Sequence, residues 1–156
     1  MKILNKKGNS LISVCVITII VFLLLSVMLA YMATVNTVFR HKDESAQLLE
    51  NYLAIYSILV YNNIKEGDTP TDIYTSSFEA DAITALGFTS EMQSKTDYDA
   101  NGKVLCTMSR PTIETTSVDG VGLVAKYMLT VPIYLGGAKV TEITVPIEIT
   151  STFQHK

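Results

Sequence analysis

The residues best suited to holding an ion stand together at Asp97-Tyr98-Asp99-Ala100-Asn101-Gly102. Side-chain oxygens at alternate positions, followed by a glycine where the chain must turn, form the first half of a calcium loop, with Asp97, Asp99 and Asn101 as ligands. The match then stops. The twelfth position of such a loop supplies two carboxylate oxygens, and here it is Met108, so about a third of the usual ligand set is missing. The same residues also read as a turn at Asn101-Gly102 leading into a strand that starts at Lys103, and the missing carboxylate favours this turn over weak calcium binding.

Other chemistry is sparse. Of the two histidines, His41 borders an apolar segment and His155 is the penultimate residue. A Ser/His/Asp or Cys/His arrangement would have to draw on one of these positions, so no enzymatic activity is expected. There is no Gly-rich phosphate loop, and no cofactor is expected. The acids Glu66, Asp68, Asp72, Glu79 and Asp81 read as a solvated face. Cys106 reads as an inward-facing strand residue, with an intermolecular disulfide as the alternative.

The elements that must position these residues follow from an uneven distribution of charge. The chain has 156 residues, 48% of them hydrophobic, and residues 9–39 contain no Asp, Glu, Lys, Arg or His. A hydrocarbon core about 30 Å thick needs about 20 apolar residues, so this run can span a membrane. It is longer than the apolar region of about 7 to 15 residues in a cleaved secretory signal, and neither Ala30 nor Ala33 has a small residue two positions before it. Cys15 is no lipoprotein acceptor, because Val14 precedes it and no apolar region lies upstream. Lys2, Lys6 and Lys7 give the first eight residues +3. All 15 acids and nine of the 12 Lys and Arg residues follow the apolar run, leaving −6 there. Positive flanks stay cytoplasmic, which predicts a cytoplasmic N-terminus and an extracytoplasmic C-terminal domain in a single-pass cell-membrane protein. That topology separates Cys15 from Cys106 and precludes an intramolecular disulfide. No basic face is available for nucleic acid.

Within the span, Ser26, Ala30, Ala33 and Thr37 recur at spacings of four, three and four, a small-residue stripe on which a second membrane helix can pack closely. The hydroxyls also have a local alternative, the preceding carbonyls of their own helix. Beyond Arg40, residues Leu49, Tyr52, Leu53, Tyr56, Leu59 and Val60 mark one face of an amphipathic helix, and no Gly or Pro separates it from the span. One helix of about 55 residues, about 80 Å at 1.5 Å per residue, is predicted, ending before Gly67 with Lys65 in its last turn. A kink at residues 40–43 is left open.

The remainder is predicted as a loop over residues 69–77 and a short helix carrying Phe78, Ala82, Ile83 and Leu86 that stops at Gly87. Strands follow at residues 103–109 and 113–117, separated by Pro111, the second ending before an Asp119-Gly120 turn. The clearest alternation is at residues 123–135 and 143–149, a C-terminal β-hairpin over residues 123–150. Its phase predicts Val131 opposite Ile143 and Leu129 opposite Val145, which calls for a three-residue loop of Gly136, Gly137 and Ala138. Pro132 and Pro146 are expected to face away from a ladder or to sit at bulges. The organisation is therefore α+β: a basic leader at residues 1–8, a transmembrane helix at 9–39 and its amphipathic continuation at 40–66. An α+β domain at 67–156 completes it, the helix packing on a small antiparallel sheet.

The basic leader ending Lys6-Lys7-Gly8, the uncharged helix directly after it, its amphipathic continuation and a small β domain together resemble the type IV pilin-like proteins, including type II secretion pseudopilins and TadE-like pilus-assembly proteins. They also look like small single-span proteins of mobile and conjugative elements in Gram-positive bacteria. The resemblance implies cleavage between Gly8 and Asn9 by a membrane peptidase. It further implies a noncatalytic structural role in an envelope pilus, secretion or conjugation apparatus, with other subunits, the membrane and further copies of this chain as partners. The fifth residue of the mature chain in that family is usually Glu and here is Ser13, which removes the usual charged assembly contact. The alternative is an anchored extracytoplasmic module that recognises a ligand or a partner protein.

Overall fold

The computed structural model describes residues 6–65, 75–116 and 121–153. The loop around Gly67 and Pro70, the acids Glu66, Asp68 and Asp72, the Asp119-Gly120 turn and His155 lie outside the described residues. One helix, α1 (Lys6–Lys65, 60 residues), runs unbroken through residues 40–43, so span and continuation are a single element. Without Gly or Pro between Asn9 and Lys65, nothing in the sequence interrupts its hydrogen-bond ladder. Thr18, Thr34 and Thr37 donate their hydroxyls to the carbonyls of Val14, Ala30 and Ala33, satisfying themselves within the helix.

The helix packs on an antiparallel sheet, giving the α+β arrangement expected. After α2 (Phe78–Ala85) come β1 (Ser94–Tyr98), β2 (Val104–Ser109), β3 (Thr112–Thr116), β4 (Val121–Leu135) and β5 (Ala138–Phe153). β4 is central. β5 pairs with its whole length on one side, and on the other β3 pairs at residues 122–126 and β2 at 129–130, with β1 outside β2. Both β2 and β3 run antiparallel to β4 along that same side, so they are two halves of one strand line broken at Arg110-Pro111. The register shifts by one across the break, and the Ser109 hydroxyl accepts from the Met128 N–H there at 3.0 Å.

β1 was not expected from the sequence. Its Ser-Lys-Thr-Asp-Tyr composition lacks apolar alternation, and it forms by pairing with β2. The hairpin loop is a second correction. Val131 faces Ile143 and Leu129 faces Val145 as predicted, but Leu135 pairs with Ala138, so the loop is Gly136-Gly137 alone. Both glycines have positive φ, 58° and 89°, as a tight two-residue hairpin turn requires. The missing residue is supplied by a bulge at Val140, between the Tyr134–Lys139 and Ile133–Thr141 pairs. Pro146 lies on β5, and Pro132 lies past the last β2–β4 pair.

One face of the sheet makes the core. Leu123, Ala125, Tyr127, Leu129 and Val131 of β4, with Ile147 and Ile149 of β5, meet Leu49, Leu53 and Tyr56 of α1. Leu59, assigned to that face from its spacing, is instead exposed, because the buried stripe swings towards Val60. Phe78, Ala82 and Leu86 bury the inner face of α2, and its end is a Schellman cap: the Gly87 N–H donates to Thr84 O and the Phe88 N–H to Ile83 O, with Gly87 at φ 84°. Tyr52 donates its hydroxyl to Phe78 O at 3.0 Å, and the Thr75 N–H donates to the Tyr56 hydroxyl at 2.8 Å, tying α2 to α1.

Candidate functional site

The buried face of α1 does not end at Leu49. Two positions four and eight residues before it, Ser45 and His41, stay on the same stripe and are buried although polar. His41, only 8% exposed, faces the β1–β2 edge, where Asp97 and Cys106 are register partners. His41 Nε2 lies 3.4 Å from Asp97 Oδ2, and the Cys106 thiol donates to the same oxygen at 3.9 Å. On the other side of the ring, Ser45 Oγ is 3.4 Å from His41 Nδ1, and Tyr127 donates its hydroxyl to Ser45 Oγ at 3.2 Å. The Tyr127 ring stands edge-on to the imidazole, with centroids 6.1 Å apart.

The tautomer with its proton on Nε2 makes these contacts one consistent chain of donors: Tyr127 donates to Ser45, Ser45 to His41 Nδ1, and His41 Nε2 to Asp97, which also accepts from Cys106. Each buried polar group of the cluster thereby has a partner, and two of the donors, His41 and Cys106, meet on one half-exposed carboxylate. Burial, followed by the charge of Asp97, pushes the Cys106 thiol up to about 11. The sulfur is thus held as a neutral thiol, and Asp97 accepts from it at the oxygen that also faces His41. That geometry opposes activation of a cysteine nucleophile by a histidine base. The site opens into a cleft of about 410 Å³ lined by Arg40, Glu44, Lys95 and Tyr98, with Arg40 Nε paired to Glu44 Oε1 at 2.8 Å.

The residues singled out for calcium are divided. Asp97 turns to His41 and Cys106, whereas Asp99 Oδ1 accepts from the backbone N–H groups of Asn101 and Lys103, each at 2.8 Å. These bonds hold the Asp99 carboxyl below its usual range, that of Lys103 contributing most. The Asn101-Gly102 segment is the β1–β2 turn, with Gly102 at φ 76°. The small-residue stripe is also divided: Ala30 and Thr37 are half-buried, while Ser26 and Ala33 are exposed. Ala30, Ala33, Thr34 and Thr37 line a cleft of about 280 Å³ with Leu105, Pro132 and Tyr134, so this side of the helix meets the hairpin first. Gly8 and Asn9 fall in the first turns of α1.

Sequence reasoning missed the cluster because His41 was read against the neighbouring apolar run. The available signal was spacing: Ser45 and His41 continue the Leu49, Leu53 stripe downwards at intervals of four, and polar residues on an apolar stripe need partners. Comparison of the chain with protein-family models, curated proteins and solved structures finds no match.

Proposed function

We propose that the protein is a noncatalytic, single-span, pilin-like or TadE-like structural subunit of an envelope pilus, secretion or conjugation apparatus. Its N-terminus lies in the cytoplasm and its sheet domain outside the cell membrane. The carrying observation is a second seam on α1. Leu48, Ile55 and Leu59 are exposed, Ile55 by 70%, and they follow Thr37 at intervals of eleven, seven and four. They lie above the stretch of helix that the hairpin meets and beyond the length that a bilayer covers. With Ile58 also exposed, these side chains form an apolar patch rather than isolated residues, and such patches mark interaction surfaces. Their occupant in this reading is the same seam of a neighbouring subunit.

The anchored binding module is the second reading, favoured by the cleft of about 410 Å³ beside His41. Crosslinking separates the two. In a Cys15→Ser background, a cysteine at Ile55 or Leu59 should give disulfide-linked multimers in native-host membranes under mild oxidation. A cysteine on the far side of the helix should not. Monomers from every position would refute the assembly reading and leave the module.

A further inference from the structure

Independently of assembly, the His41, Asp97 and Cys106 side chains bring a nitrogen, an oxygen and a sulfur donor together from three elements, all within 4.8 Å of one another. Among the described residues this is the one such convergence of His, Cys, Asp or Glu side chains. We propose that His41 Nε2, Asp97 Oδ2 and Cys106 Sγ bind one zinc ion, with the fourth coordination position opening into the cleft beside Glu44.

The distances suit that ion. Zinc bonds of about 2.0–2.3 Å in a tetrahedron place nitrogen and oxygen ligands about 3.4 Å apart, and sulfur and oxygen about 3.6 Å apart. The observed nitrogen–oxygen and sulfur–oxygen separations are 3.4 Å and 3.9 Å, and the imidazole and thiol lie within 4.8 Å of each other, so the ion draws the Cys106 sulfur in towards the other two ligands. The donor types argue against calcium and magnesium, which take oxygen alone, and favour a borderline cation that accepts imidazole, carboxylate and thiolate together.

Charge and hydrogen bonding agree with the same ion. Zinc(II) with one thiolate and one carboxylate gives a neutral site, which a buried seam tolerates better than a single unpaired charge. On binding, the S–H bond of Cys106 breaks, its electron pair goes to zinc and one proton leaves to solvent. Coordinated through Nε2, the imidazole carries its proton on Nδ1, where Ser45 Oγ is placed to accept it, and Tyr127 in turn holds Ser45. The ion would clamp α1 to the β1–β2 edge one turn above Thr37.

The test uses the full chain in detergent with cobalt(II) as the probe. Cys15→Ser leaves Cys106 as the single thiol without touching the core, so a thiolate-to-cobalt charge-transfer band in that protein can arise only from Cys106. The expected result is one equivalent of cobalt per chain, a tetrahedral spectrum with that band, and displacement by zinc. His41→Gln and Asp97→Asn should each weaken the apparent affinity at least tenfold. Binding without the charge-transfer band, or a band unaffected by both substitutions, would overturn the site. If either variant loses its far-ultraviolet dichroism, the Cys15→Ser titration decides alone: the band supports the site and its absence refutes it.

Discussion

Leu53 has almost no exposed surface, while Leu59, six residues further along the same helix, is half exposed. Equal in chemistry, they differ in what surrounds them. Leu53→Ala should cost about 2–5 kcal/mol because it leaves a cavity between α1 and β4, whereas Leu59→Ala should change stability by no more than about 0.5 kcal/mol. Chemical unfolding of the detergent-solubilised variants measures both, and equal losses would contradict the assigned helix face. A pH effect belongs to the same layer. Burial, and then the charge of Asp81, raises the Tyr52 hydroxyl above its ordinary value of 10.0. The unfolded chain therefore loses this proton first, so the contribution is complete below pH 10 and declines as pH rises above it. Tyr127, also raised chiefly by burial, acts in the same direction. Stability of the wild type should fall on the alkaline side, and Tyr52→Phe should make that fall less steep; an unchanged slope would remove Tyr52 from the account.

The hairpin shows how local rules combine within an element. Alternation alone fixed which side chains of β4 and β5 oppose each other, because a one-residue slip would turn Ile147 and Ile149 away from the core. It did not fix where the odd residue goes. A three-residue loop and a two-residue loop with a bulge give the same register, and the choice depends on two glycines with positive φ, which suit a two-residue turn and leave the odd residue, Val140, to a bulge. Deleting Val140 should accordingly leave Val131 against Ile143 and Leu129 against Val145, with a regular ladder and a folded domain. Deleting Thr144 should displace those pairs and destabilise the domain. Cross-strand nuclear Overhauser effects would read the register directly, and loss of the native pairs on removing Val140 would contradict the bulge. The long helix, the Gly87 stop and the hairpin were legible because each is written in periodicity or in a residue with special backbone freedom. β1 and the His41 cluster were not, since a polar strand and a three-element cluster exist only through their partners.

At the scale of the whole molecule, the surface of α1 divides into two lengths. Residues 11–29 are exposed all round, and the first half-buried position is Ala30, where the helix begins to meet the hairpin and β2. Residues 11–30 measure about 30 Å at 1.5 Å each, the thickness of a hydrocarbon core, so the apolar run of residues 9–39 is longer than a bilayer core needs and its upper third is seated under the sheet. A cysteine at Leu23 in a Cys15→Ser background should resist a membrane-impermeant maleimide, while one at Asn36 should react from outside the cell. Labelling of Asn36 only after the membrane is opened would reverse the orientation.

The central claim is that the exposed seam above the bilayer joins neighbouring subunits. Ile55 and Leu59 are exposed, so glutamate at these positions should leave the fold intact while placing charge in the joint. The direct measurement is the mass of the protein extracted from native-host membranes in mild detergent. The wild type should emerge in multimers, and Ile55→Glu with Leu59→Glu should emerge as monomers with unchanged domain stability. A monomeric wild type, or a double variant that assembles as well as the wild type, would contradict the account.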